Sequence, residues 1–149
     1  MITNTSPVAG FTSPVIARLS PLAAQTLITG LNAANAARQS DVAATAGIYS
    51  GDAAKPFSGF CHVDQWALDN VGENFGSIPA LAGETLQLGD VVVWPSINGD
   101  CDGSGELDPT DQWVIDQHGA PDWFRGDFNG DGQIDAADQA IFDAAVAAQ

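Results

Sequence analysis

The chain has very little positive charge. Of its 149 residues only four are lysine or arginine, against 19 aspartates and glutamates, for a net charge of −15. Phosphate recognition needs cationic side chains to displace counterions, so nucleic acid is excluded as a partner and cations are the natural ones. Long apolar runs are missing as well. Nowhere do 18 or more apolar residues follow one another, so no membrane span is expected. The opening Met1-Ile2-Thr3-Asn4-Thr5-Ser6-Pro7 has neither a basic start nor an apolar stretch behind it, so no secretory leader is expected in it. Cysteine is limited to Cys61 and Cys101, which leaves one disulfide or two thiols as open alternatives. What is present is globular in composition, 45% hydrophobic and 15% charged, and not that of a disordered acidic tail.

The first 20 residues are rich in Ser, Thr and Pro and read as an extended arm, with Pro7 and Pro14 arguing against helix. Ser20-Pro21 then supplies an N-cap and a first-turn proline, and Leu27, Leu31 and Ala34 fall at helical spacing, predicting a helix over 22–38 that Gly30 weakens. From 41 to 83 glycine and proline break the pattern into short pieces, with one or two helical turns over 64–71. Residues 85–94 read as a strand: Leu86 and Leu88 alternate with polar neighbours, a turn falls at Gly89-Asp90, and Val91-Val92-Val93 follows until Pro95 ends it. The expected fold class is α+β: an arm over 1–20, a small mixed domain over 21–97, and a third segment over 98–149.

That third segment carries 12 acids and one base, Arg125, hence a net of −11. It also repeats itself at an offset of 27. Gly99, Asp100, Gly103, Gly105, Asp108, Asp111, Gln112 and Asp116 recur as Gly126, Asp127, Gly130, Gly132, Asp135, Asp138, Gln139 and Asp143, and Leu107 recurs as Ile134. Each copy fits the twelve-residue calcium loop of the EF-hand, with oxygen ligands at positions one, three, five, seven and twelve and glycine at six. In the first copy these are Asp100, Asp102, Ser104, the Glu106 carbonyl and Asp111, turning at Gly105. In the second they are Asp127, Asn129, Asp131, the Gln133 carbonyl and Asp138, turning at Gly132. Position nine, Asp108 or Asp135, is placed to help through a water. Alternate side chains on a tightly curled loop point inward, and hard oxygen ligands select calcium over softer metals. Two Ca2+ ions are expected. Asp108-Pro109 and Asp135-Ala136 should start the helices that follow, and Gly119 suits the end of the first. Leu107 and Ile134, at position eight, should pair their backbones and share a core.

Two departures separate these loops from an ordinary EF-hand. Position twelve is Asp where a calmodulin-like loop has Glu, and the segment entering the first loop is strand-like. Duplicated loop-helix calcium units without an entering helix resemble the dockerin family, whose members dock bacterial secreted proteins onto cohesin modules. The resemblance covers residues 99–146 and implies a docking role. In that family loop positions ten and eleven help contact cohesin; here they are Pro109-Thr110 and Ala136-Ala137, which do not match each other.

Like charges held about 4 Å apart repel by roughly 1 to 4 kcal/mol per pair at dielectrics between those of water and a protein surface. Three carboxylates per loop therefore call for a divalent ion, and with so small a core metal binding and folding should be coupled.

Catalysis finds little support. Cys61 and His62 are adjacent, and on a strand they would face opposite ways; His62-x-Asp64 is a weak metal pair, and His118 suits a helix end. Trp66, Trp94, Trp113 and Trp123 suit either sugar stacking, as in a carbohydrate-binding protein, or core and interface anchoring, of which anchoring is the commoner use. An arm as polar as 1–14 has no reason to order alone, and is expected to lie on another copy of the chain. The expected function is thus a calcium-stabilised structural subunit of an extracellular or surface assembly, such as a filament, sheath or virion surface. The alternative is a dockerin module that docks to a cohesin-like scaffold receptor.

Overall fold

A computed structural model of the chain describes residues 10–11, 15–40, 49–50, 54–70, 86–101, 103–117 and 119–149. The fold is α+β. Its elements run β1 (Gly10–Phe11), β2 (Val15–Ala17), α1 (Pro21–Gln39), β3 (Tyr49–Ser50), β4 (Phe57–His62), α2 (Gln65–Asn70), β5 (Val91–Ser96), α3 (Pro109–Asp116), a 3-10 turn (Trp123–Arg125) and α4 (Ala136–Ala148). β5 lies at the centre of an antiparallel sheet of order β2-β5-β4, while β1 and β3 form a short parallel pair.

α1 starts where its sequence says it should. The Ser20 side chain accepts from the Ala23 N–H at 3.3 Å, and proline occupies the first turn. Its buried stripe, Ala24, Leu27, Ile28, Leu31, Ala34 and Asn35, recurs every three or four residues and carries the helix through Gly30. Asn35 at the end of that stripe is polar for a reason: it exchanges two hydrogen bonds with the Ser58 backbone, Nδ2 donating to the carbonyl at 2.9 Å and Oδ1 accepting from the N–H at 2.8 Å. Both Ser58 backbone groups thus face α1 and not β5, and the helix side chain satisfies them where, among the described residues, no further strand lies alongside.

The strand expected over 85–94 is corrected. It runs from Val91 to Ser96, through Pro95, and Thr85 lies outside the described residues. Pro95 is tolerated because β2 pairs only as far as Val93. Residues 86–90 turn instead: Gly89 has a φ of +89°, its N–H donates to the Val63 carbonyl at 2.9 Å, and the Asp90 carboxylate accepts from the Gln87 N–H at 2.9 Å. Asp90 also takes both ends of the Arg18 guanidinium, at 3.0 and 2.9 Å.

Of the arm expected over 1–20, residues 1–9 and 12–14 lie outside the described residues. Val15, Ile16 and Ala17 pair with Val93, Val92 and Val91 of the chain's own sheet, and Ile16 and Ala17 are buried there. The apolar core does not pause at residue 97. Leu31, Phe60 and Trp94 belong to the same cluster as Cys101, Val114, Trp123, Phe128 and Phe142, and Phe57 stacks on Trp123 with ring centroids 5.4 Å apart.

Candidate metal centre

The 27-residue repeat is a repeat of conformation as well as of letters. Gly99, Gly103 and Gly105 have φ of +86°, +75° and +87°; their counterparts Gly126, Gly130 and Gly132 have +110°, +73° and +85°. Position one accepts the glycine-six N–H in both loops: Gly105 to Asp100 Oδ2 at 2.8 Å, and Gly132 to Asp127 Oδ2 at 3.1 Å. Position twelve accepts the position-two N–H, Cys101 to Asp111 Oδ1 at 3.0 Å and Phe128 to Asp138 Oδ1 at 2.9 Å. Its other oxygen takes the position-nine N–H, again in both copies, at 3.0 Å each. Asp108 and Asp135 at position nine cap α3 and α4, accepting from Thr110 at 2.8 Å and Ala137 at 2.9 Å.

Loop two gathers its carboxylates. Asp127, Asp131 and Asp138 each bring an oxygen within 4.8 Å of the others. Two oxygens bound to one calcium at 2.3 to 2.6 Å lie no more than about 5 Å apart, so the trio fits a single such ion. Asn129 at position three accepts from the Asp131 N–H at 3.1 Å, and Asp131 Oδ1 from the Gln133 N–H at 2.9 Å, which curls the loop inward. Burial pushes Asp127 up to about 6; the Gly132 N–H opposes this, while the charges of Asp138 and Asp131 add to it. Asp138 is raised too, chiefly by burial, with Asp131 contributing. A site that disfavours its own negative charge in this way is one that a divalent cation would stabilise.

Loop one has the same frame and a different fifth position. Ser104 Oγ accepts from the Glu106 N–H at 3.2 Å and donates to the Glu106 carbonyl at 3.1 Å. Asp100 and Asp111 are buried, whereas Asp102 lies outside the described residues. Side chains of Leu107 and Ile134 pack against the common core as expected, but no hydrogen bond pairs their backbones. A further link between repeats comes from equivalent glutamines: Gln112 donates to Gln139 at 3.0 Å and receives at 2.8 Å.

Both loops rest on the rest of the molecule through position four. A Cβ on Gly103 would come 2.9 Å from the Trp94 Nε1, and one on Gly130 would come 2.7 Å from the Asn32 carbonyl oxygen. Trp123 Nε1 donates to the Asp100 carbonyl at 3.0 Å, and Gln39 Nε2 to the Phe128 carbonyl at 3.2 Å.

The remaining candidates separate. Cys61 and Cys101 are buried and share no disulfide; burial, with the charge of Asp122, pushes the Cys61 thiol well above its usual range, while the Cys101 thiol contacts Asp111 Oδ1 at 3.4 Å. Asp64 does not team with His62; its carboxylate caps Ala67 at 2.9 Å and meets the Arg125 guanidinium. α3 ends at Asp116, short of Gly119, and His118 lies outside the described residues. Trp94 and Trp123 are core, while Trp66 and Trp113 reach the surface.

Two features escaped the reading of the sequence. One is the turn between the repeats, where Arg125 is 2% exposed and bonds the buried Asp122 at 3.1 Å. Asp122 in turn accepts the His62 N–H of β4 at 2.9 Å, tying the pair of repeats to the sheet. Nothing periodic marks this turn. The other was legible: the hexapeptide Asp64-Gln65-Trp66-Ala67-Leu68-Asp69 reappears as Asp111-Gln112-Trp113-Val114-Ile115-Asp116 and, more loosely, as Asp138-Gln139-Ala140-Ile141-Phe142-Asp143. In all three the glutamine Nε2 donates to the last aspartate at 2.9 Å. Compared with family models, curated proteins and solved structures, the chain matches none.

Proposed function

We propose that this chain is a non-enzymatic structural subunit of an extracellular or surface assembly, held in shape by Ca2+ at residues 100–111 and 127–138. The observation that carries the reading is the trio Asp127, Asp131 and Asp138, converging at calcium-like separations in a loop whose backbone is duplicated 27 residues earlier. The third hexapeptide copy supports it. There Asp64 is met by a built-in cation, Arg125; at Asp138 the same aspartate converges with Asp127 and Asp131, a group whose fitting counter-charge is a divalent ion. A donor set of carboxylates, a hydroxyl, an amide and carbonyls matches calcium chemistry and offers no sulfur or imidazole. Asp100, Asp111, Asp127, Asn129, Asp131 and Asp138 would hold the ions, with Ser104, Asp102 and the Glu106 and Gln133 carbonyls completing the shells. The bound ions would supply shape and no reaction.

The second reading, a module docking to a cohesin-like receptor, draws on the near-identical backbones of the two repeats and on the exposure of Pro109, Ala136 and Ala137 at helix starts. Calorimetric titration of the full chain with Ca2+ should give two sites. Terbium in place of calcium should glow under tryptophan excitation, because Trp94 and Trp123 both touch loop one. A melt indifferent to EGTA, with no terbium emission, would reject calcium. Sedimentation in calcium decides between the two readings: concentration-dependent association supports the subunit, whereas a monomer that binds cohesin supports docking.

A further inference from the structure

The surface that the calcium reading leaves unused is built from the first two hexapeptides. Trp66 of α2 and Trp113 of α3 stack with centroids 6.3 Å apart at 27°, and Trp113 is 43% exposed, the most exposed large aromatic among the described residues. Arg125 and Phe124 support Trp66 at 5.3 and 5.9 Å. Three residues beyond each tryptophan, and so on the same helical face, stands an exposed carboxylate: Asp69 and Asp116. The amides of Gln65 and Gln112 are turned onto those two carboxylates, each at 2.9 Å.

We propose that this Trp66–Trp113 face is a docking site for a basic segment of a partner protein, with a lysine or arginine side chain laid on the Trp113 ring and its charge shared by Asp69 and Asp116. Charge complementarity selects the occupant. Exposed indole faces attract cations, the flanking carboxylates only accept hydrogen bonds, and the chain as a whole carries −15, a field that draws basic segments in and turns acidic ones away. A sugar would need donors as well as acceptors at the rim, and the nearby amide donors are directed at the aspartates. The third hexapeptide serves as an internal control, since Ala140 replaces the tryptophan while Asp143 keeps the same glutamine bond.

The test is a titration of the full chain in millimolar calcium, followed by tryptophan fluorescence and indole NMR, with a short oligoarginine peptide, an oligoglutamate peptide and a neutral oligosaccharide. Oligoarginine should bind, more weakly as salt rises, and shift the Trp113 indole signal. Trp113→Ala should weaken binding about tenfold, the scale of a partly desolvated cation–π contact. Asp69→Asn with Asp116→Asn should weaken it several-fold, and Asp143→Asn should leave it unchanged. Should Trp113→Ala not fold by circular dichroism, the double asparagine variant decides alone. Equal losses from Asp143→Asn would mean diffuse capture by net charge and would overturn the proposal. So would tighter binding of the oligosaccharide or no shift of the Trp113 signal.

Discussion

Arg125 is the one base in a stretch of 52 residues, 98–149, that carries 12 acids, and it is buried. Its guanidinium lies between Asp122, Asp64 and the Trp66 ring, so the turn joining the two repeats is pinned to α2 and β4 from one side chain. Replacing it by methionine would keep much of the packing and leave the Asp122 carboxylate buried without its partner, at a cost of about 3 to 5 kcal/mol in urea unfolding. That cost should depend on pH. Burial raises Asp122 to about 7 even with Arg125 opposing it, so in the Arg125→Met variant the carboxyl takes up a proton as pH falls. The penalty should therefore shrink below neutrality and be largest above it; a penalty constant from pH 5 to 8, by the same measurement, would rule this account out. None of this was visible in the sequence, because Asp64 and His62 lie about 60 positions away and no local pattern links them to the turn.

At the scale of elements, what was legible was local. Ser20, Asp108 and Asp135 cap the helices that their neighbours imply, and the 27-residue offset places every loop glycine in the conformation the motif needs. β4 was not legible: Phe57-Ser58-Gly59-Phe60-Cys61 is buried on both faces, so it shows no alternation of apolar and polar residues. Leu86 and Leu88 misled for the opposite reason, since their alternation ends in a turn with Leu88 at the surface. The seating of the loops was equally hidden. Gly130 and Gly132 share a positive φ, yet a Cβ at Gly132 meets nothing within 4 Å and one at Gly130 meets the Asn32 backbone. Gly132→Ala should thus cost only the left-handed strain, about 1 to 2 kcal/mol, and Gly130→Ala distinctly more, because the backbone it strikes has no way to swing aside. Paired thermal melts in calcium check this; equal losses would show that α1 does not bear on the loop.

For the whole molecule the question is whether the proposed calcium ions would govern one segment or all of it. Phe57 stacks on Trp123, Trp94 abuts loop one, Asn32 and Gln39 abut loop two, and one apolar cluster contains Phe57, Trp94, Trp123 and the Leu31 that precedes Asn32. Chelation should accordingly lower a single melting transition, reported together by far-ultraviolet circular dichroism and tryptophan fluorescence. Two separated transitions would contradict it. In the chelated state the sign with pH is fixed by Asp127, which burial and its neighbours raise from about 4 to about 6. A raised carboxyl favours the folded state while protonated, so metal-free stability should be greatest below about pH 4 and fall as pH rises through 6. Calcium should remove the share of that slope that comes from Asp127 and leave the share from Asp122, which is also raised and lies outside the loops.

The stacking of Phe57 on Trp123 bears on how residues 98–149 can be handled at the bench. Excised after residue 97, they would come away as a cassette whose Trp123, Phe124 and Phe128 had lost the sheet that keeps them dry. Such a fragment would clump or borrow a foreign apolar surface, and a graft of these loops onto another host would need to bring β4 along with it.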